Sequence, residues 1–403
     1  MSVIAAPANR SNTSIWVAFT LLIVGTLGAY YVVGLTQALL FLIGGALGMT
    51  LYHASFGFTS SWRVFITERR GRGLRAQMIM LALAVLLFFP ALGAGELFGN
   101  PVKGNVSPVS MSVMIGAFIF GIGMQLGGGC ASGTLYTVGS GSMRMIVTLV
   151  FFCTGSLIAT THLDWWFNLP HLAPISVVHS LGVAPALVIN FILFALIAFA
   201  TIYFEKKRHG NLEVEPKSQH QGWKRFIRGP WPLVWAGILL TLLNFATLSL
   251  AGRPWGVTSA LAVWAAKTAS FAGIDVASWS YWQQPANAKA LSESLWFDIT
   301  SMMNFGIMLG ALLAASLAGK FAPNFNIPKR SLIAAILGGL LLGYGARLAY
   351  GCNIGAYFSG IASGSVHGWL WLVSAFIGNS IGVKFRPVFF PDERPAPEKL
   401  TGC

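Results

Sequence analysis

Long uncharged, apolar runs recur along the chain near 15–34, 36–55, 76–96, 108–126, 144–162, 181–204, 231–251, 299–319, 331–349 and 368–384. A bilayer core about 30 Å thick is crossed by roughly 20 apolar residues in helical conformation. Lipid offers no partner to an open backbone, so each run predicts a spanning helix. The fold class that follows is an all-α polytopic membrane protein of about ten transmembrane helices. The charge content agrees: 9% of the 403 residues are charged, against about a quarter in a soluble globular chain. The first run is too long for a cleavable leader and is expected to persist.

The formal charge of +14 raises the question of a nucleic-acid partner, and the placement of the charges answers it. Arg63, Arg69, Arg70, Arg72 and Arg75 follow the second run, and Lys206, Lys207, Arg208, Lys217, Lys224, Arg225 and Arg228 follow the sixth. Lys320, Lys329 and Arg330 follow the eighth, and Lys384, Arg386, Arg394 and Lys399 the tenth. With Arg10 and Arg144 these are 21 of the 26 basic residues, all on one side of ten alternating spans. That is the positive-inside bias. It predicts cytoplasmic termini, as in a bacterial inner-membrane protein, and no nucleic-acid partner. The chain then divides into a cytoplasmic segment 1–14, a first membrane half 15–204, a cytoplasmic linker 205–230, a second half 231–386 and a polar tail 387–403.

The two halves repeat one another. Gly121-Ile-Gly-Met-Gln125-Leu-Gly-Gly-Gly129-Cys130-Ala-Ser-Gly133 is matched by Gly343-Tyr-Gly-Ala-Arg347-Leu-Ala-Tyr-Gly351-Cys352-Asn-Ile-Gly355, with the cysteines 222 residues apart. A weaker pair, Gly57-Phe-Thr59-Ser60-Ser61 and Gly256-Val-Thr258-Ser259-Ala260, is offset by 199. Span alternation puts the members of each pair on opposite sides, which predicts inverted halves. These Gly-rich motifs are too short to cross; 254–266, for example, holds only 13 residues. They are expected as re-entrant loop helices that meet near the midplane in an hourglass-like arrangement, because irregular backbone survives at membrane depth only inside protein or along a cavity. Gly44, Gly45, Gly48, Gly338 and Gly339 read instead as close helix-packing residues.

Cys130 and Cys352 each follow a glycine run and open a short uncharged element. Backbone N–H groups at such a helix start favour anions, and a thiol adds a soft, polarisable sulfur. Arg347 is an intramembrane charge and hence a functional candidate; its repeat partner is the neutral Gln125, and a structural tether is the competing reading. Arg253 and Lys267 are placed to attract anions at the outer mouth. Cys153 reads as core, Cys403 as a free terminal thiol, and His53 as an interior histidine rather than a ligand. His162, His171 and His179 show no metal-ligand spacing. No nucleotide-binding, zincin or nucleophile-elbow motif occurs, so neither catalysis nor a cofactor is expected.

The two cysteine motifs, with Phe56-Gly-Phe-Thr-Ser60 and Trp255-Gly-Val-Thr-Ser259, resemble the YeeE/YedE family of bacterial sulfur-transport membrane proteins, over about residues 36–386. The resemblance implies an hourglass of inverted halves, uptake of thiosulfate, and cysteines that hand the ion along. It assigns those roles to Cys130 and Cys352. Gly57 stands where family members often carry a third cysteine. The expected substrate path comprises Cys130, Cys352, Gly129, Gly351, Gly133, Gly355, Gly57, Thr59, Ser60, Gly256, Thr258, Ser259, Gln125 and Arg347. The partners expected are a small sulfur-containing anion and the bilayer. Two other readings stay open: a membrane subunit delivering sulfur or selenium species to a cytoplasmic carrier protein, and a soft-metal transporter.

Overall fold

A backbone group left unpaired in lipid costs several kcal/mol, so each apolar run closes its hydrogen bonds within itself. The computed structural model describes residues 12–215 and 220–391. The start of the N-terminal segment, the centre of the expected linker and the tail from residue 392, including Cys403, lie outside the described residues. The first half contains α1 (Asn12–Val32), α2 (Leu35–Ala54), α3 (Phe58–Glu68), α4 (Arg72–Ala94), α5 (Met111–Gly127), α6 (Ala131–Gly139), α7 (Met143–Thr160) and α8 (Val183–His209). The second contains α9 (Leu233–Ala251), α10 (Thr258–Phe271), α11 (Ile299–Leu317), α12 (Lys329–Leu348), a wide π-helical turn (Asn353–Phe358) running into α13 (Ser359–Ala362), and α14 (Val366–Phe389). Short helices and two-residue strands in the connecting loops complete the described chain.

Ten described stretches are long and apolar enough to cross a membrane. Three of them are interrupted, between α2 and α3, between α5 and α6, and between α12 and the π-turn. The breaks have local causes. Ser55 (φ 46°) ends α2 and Gly128 (φ 90°) ends α5 in left-handed conformations, while Tyr350 (φ 55°) and Gly351 (φ 149°) end the run after α12. A left-handed residue stops a helix by turning its last carbonyls into a cap.

The helices pair as a repeat. α2 lies along α11 as α9 lies along α4, α12 lies along α7 as α5 lies along α14, and α5 meets α12 between them. This pairs α2 with α9, α4 with α11, α5 with α12 and α7 with α14. Matching helices stand five places apart among ten alternating spans, and an odd offset inverts one half relative to the other. α1 and α8 fall outside the repeat. α1 packs on α2 and α11, and α8 on α4. Trp16, Val24 and Tyr31 on α1, and Val188, Ile192, Leu196 and Phe199 on α8, are exposed, as suits helices solvated by lipid.

The contacts between halves are close because glycines allow them. A Cβ at Gly44 would overlap the Met303 carbonyl oxygen, one at Gly48 the Ile307 carbonyl oxygen, and one at Gly338 the Gly127 nitrogen. Gly45 supplies the backbone that α11 approaches at Gly310, and Gly339 sits 2.6 Å (from a built Cβ) from the Thr148 carbonyl oxygen. Small residues at membrane helix interfaces work in this way.

On the basic face, α8 runs through the start of the polar stretch, and Glu205 is fully buried rather than part of an open linker. Its carboxylate is 2.6 Å from Arg75 and 3.3 Å from Arg70, and it accepts from the backbone N–H groups of Gly71 and Glu213. A buried carboxylate with both oxygens so occupied ties the α3–α4 turn to the end of α8.

Candidate functional site

The two repeated cysteines sit at equivalent starts of short elements inside the protein. Cys130 is the N-cap of α6, and its Sγ accepts from the Gly133 N–H at 3.4 Å. Cys352 is the N-cap of the π-turn, and its Sγ accepts from the Ile354 N–H, also at 3.4 Å. Both are buried. α6 touches the π-turn, and a charge on Cys130 or on Arg347 would be felt at Cys352. The sulfurs thus replace the oxygen of an ordinary capping side chain. Ser132 Oγ lies 3.4 Å from Cys130 Sγ, a contact without counterpart at Cys352.

Two cavities approach this centre from opposite faces. One, of about 710 Å³, is lined by Gly256, Thr258, Ser259, Arg347, Gly351 and Gly355 among others. The other, of about 560 Å³, lies on the basic face and is lined by Ser60, Ser61, Arg70, Arg72, Arg228 and Lys320 among others. Neither lining includes a cysteine, so both thiols lie in the barrier between the cavities. The larger cavity reaches the glycines that flank Cys352. On the basic face Ser60 is the only member of the expected path in the lining; Gly57, Thr59, Gly129 and Gly133 lie deeper.

Gln125 and Arg347 occupy equivalent positions and make equivalent reaches. Gln125 Nε2 donates to the Thr59 carbonyl at 3.2 Å and to Asn379 Oδ1 at 2.7 Å. Arg347 donates to Thr258 Oγ1 at 3.0 Å and to the Tyr281 hydroxyl at 3.3 Å. Each ties the end of a spanning helix to the start of a short one. They differ in exposure: Gln125 is fully buried, while Arg347 faces the larger cavity.

The glycines of the expected path divide by what surrounds them. Gly351 needs its φ of 149°, and an added Cβ would lie 2.8 Å from the Ala356 nitrogen. At Gly57 a Cβ would press on Ser60 Oγ at 2.5 Å, at Gly129 it would lie 3.3 Å from Gly133, and at Gly133 it would rest 3.5 Å from Cys130 Sγ. Gly256 and Gly355 face open space, with nothing within 4 Å. Gly256→Ala and Gly355→Ala are therefore expected to fold at the parental level while narrowing the cavity and slowing uptake several-fold, on the order of the cost of one overpacked methyl. Monodispersity and uptake measured on the same preparations check both halves of that expectation.

The structure adds residues to which the sequence drew no attention. Asn353 is fully buried with neither Nδ2 nor Oδ1 partnered, directly after Cys352. The Tyr357 hydroxyl, Thr59 Oγ1 and the Trp255 indole N–H are also buried without partners. Leaving such a group unpaired costs about 1–3 kcal/mol, and these groups ring the cysteine elements. Tyr357 packs edge-on to Phe58 at 5.9 Å. Ser359 Oγ donates to the Trp255 carbonyl, and the Trp255 N–H to Asn244 Oδ1. These contacts link the starts of α3 and α10 to the Cys352 element. The adjacency of Asn353 to Cys352 was the one signal available in sequence.

Other candidates separate from the centre. Lys267 donates to the carbonyls of Leu291 and Glu293 at 2.6 Å and does not line the larger cavity, whereas Arg253 does. His53 stacks near Trp231 at 5.1 Å. Cys153 is half-buried on α7, packed on the main core.

The chain matches the sulphur transport family over residues 53–381, from the last turn of α2 into α14. It is 29% identical over 363 residues to the thiosulfate transporter TsuA of Spirochaeta thermophila, spanning 84% of this chain and 95% of that one. It is 24% identical over 345 residues to the thiosulfate transporter TsuA of Escherichia coli, spanning 83% and 90%. With the probable transporter YedE of Escherichia coli it shares 30% identity over 161 residues, 40% of this chain and 39% of that one. Ten apolar helices and a family match over most of the length make this chain a multi-pass membrane transporter, not an enzyme, and a member of the sulphur transport family.

Proposed function

We propose that the chain takes up thiosulfate across the bacterial inner membrane, through the barrier that holds Cys130 and Cys352. The supporting observation is the equivalent placement of the two thiols, each held by a backbone N–H at the start of a short buried element, between cavities from opposite faces. Thiosulfate carries hard sulfonate oxygens at one end and a soft terminal sulfur at the other. Thiols suit the soft end, and N–H donors suit the oxygens. At Cys352 the backbone N–H occupies a sulfur lone pair, which leaves the S–H to donate to the ion. The residues named as the expected path, joined by Asn353, form the route between the cavities.

The test is uptake of labelled thiosulfate into vesicles containing the purified chain alone, with labelled sulfate as the comparison. Thiosulfate accumulation well above sulfate supports the reading. Vesicles that stay empty until a cytoplasmic sulfur-carrier protein is added favour the delivery-subunit reading instead.

The same reading places the basic face in the cytoplasm. Reporter fusions after Lys217 and after Lys399 are expected to report cytoplasm, since the clustered arginines and lysines resist translocation. A periplasmic signal from either position overturns that orientation.

A further inference from the structure

The larger cavity is equipped for one kind of ligand. Lys103, Arg253 and Arg347 line it, and no aspartate or glutamate does. Arg347 makes no ion pair with a described carboxylate, and its Nε has no partner. Its remaining N–H groups are fixed by Thr258 and Tyr281, so the guanidinium is oriented without being neutralised. Trp255, on the same lining, is 1% exposed, and its indole N–H is unpartnered. Its backbone is clamped through Asn244 and Ser359, so the ring cannot readily turn to find a partner elsewhere. α10, a helix of 14 residues, starts beside them with no side-chain cap, and Gly256 just before it faces open space. All of these groups are donors only.

We infer that Arg347 and Trp255 form a receiving site for the oxygen end of a tetrahedral dianion, one step before Cys352. The inference rests on the proposed thiosulfate uptake and gives that ion a direction of travel: sulfonate oxygens on the guanidinium and indole, terminal sulfur towards the thiol. Arg347 lies within electrostatic reach of Cys352, so the two ends of one small ion can be held together. A planar guanidinium engages two oxygens of such a head at once, which an ammonium cannot copy. Sulfate shares the oxygens and lacks the soft sulfur. It therefore binds at this site and competes with thiosulfate, without being handed on.

The experiment has two arms on the purified full-length chain. In the first, sulfate binding is titrated calorimetrically, which needs no transport. Binding by the parent that is lost in Arg347→Gln, weakened in Trp255→Phe and partly kept in Arg347→Lys is the expected result. In the second, vesicle uptake of thiosulfate is measured against concentration with and without sulfate. Arg347→Gln is expected to raise the half-saturating concentration about ten- to a hundredfold, the loss of one charged hydrogen-bonding partner, and to abolish competition by sulfate. Tyr281→Phe, which removes only a tether, is expected to change it less than about threefold. A parent that binds no sulfate, or Arg347→Gln with parental binding and half-saturation, overturns the site. A loss in Tyr281→Phe equal to that in Arg347→Gln, with matching falls in melting temperature, makes Arg347 a structural tether and overturns it too. A parent that binds sulfate but takes up no thiosulfate sinks the uptake reading and leaves the anion site standing.

Discussion

Cys130→Ala and Cys352→Ala are each expected to cut thiosulfate uptake about ten- to a hundredfold. A contact to a charged ligand contributes about 1.5–3 kcal/mol, and at the barrier that difference appears directly in the rate. Cys153→Ala, on the half-buried outer part of α7, is expected to stay near the parental rate. Serine at either position keeps a donor of similar shape and replaces the soft sulfur with a hard oxygen. Ser variants are therefore expected to fall between parent and Ala. Ser variants as fast as the parent would leave only the backbone N–H groups as the anion's partners. Ala variants at the parental rate, with normal expression, would end the cysteine-path mechanism. Because Cys130 has Ser132 beside its sulfur and Cys352 has no such neighbour, the loss is expected to be larger at Cys352.

The largest effect on folding is expected at Gly48. An added methyl there collides with the Ile307 carbonyl of α11, and backbone of a packed helix cannot yield as a flexible side chain can. Overpacking costs about 1–3 kcal/mol, and occasionally more. Gly48→Ala and Gly338→Ala are expected to lower the melting temperature in detergent and the yield of monodisperse protein, unlike the cavity-facing Gly256→Ala. Parental melting of Gly48→Ala would mean that α2 and α11 separate at little cost.

Much of this architecture was legible in the sequence, for a physical reason. Lipid removes every option for an apolar run except a helix, so run length alone located ten spans to within a few residues. The cysteine motifs were legible because they recur with the same glycine flanks. The extent of α10 was not. The uncharged run appeared to close before Lys267, yet α10 continues to Phe271 because the Lys267 ammonium reaches the Leu291 and Glu293 carbonyls. The charge looked like a boundary and is a cap for a neighbouring helix. Nor did sequence reveal the π-turn after Cys352 or the unpartnered amide of Asn353, since both depend on how neighbouring elements close around them. Gly44 and Gly48 announced a close approach but not its partner. That partner is α11, in the other half of the chain.

This cross-pairing has a consequence for biogenesis. α2 leaves the ribosome early, and the helix that fills its glycine face is among the later ones made. At about 5–20 residues per second, the delay between them is on the order of tens of seconds. Throughout that interval the grooved surface of α2 has only lipid or the insertion machinery against it. The same holds for α5, which waits for α12 and α14, and for α7, which waits for α12. Nascent chains stalled before α11 should remain open to crosslinking along α2, and protection should arrive abruptly once α11 enters the bilayer.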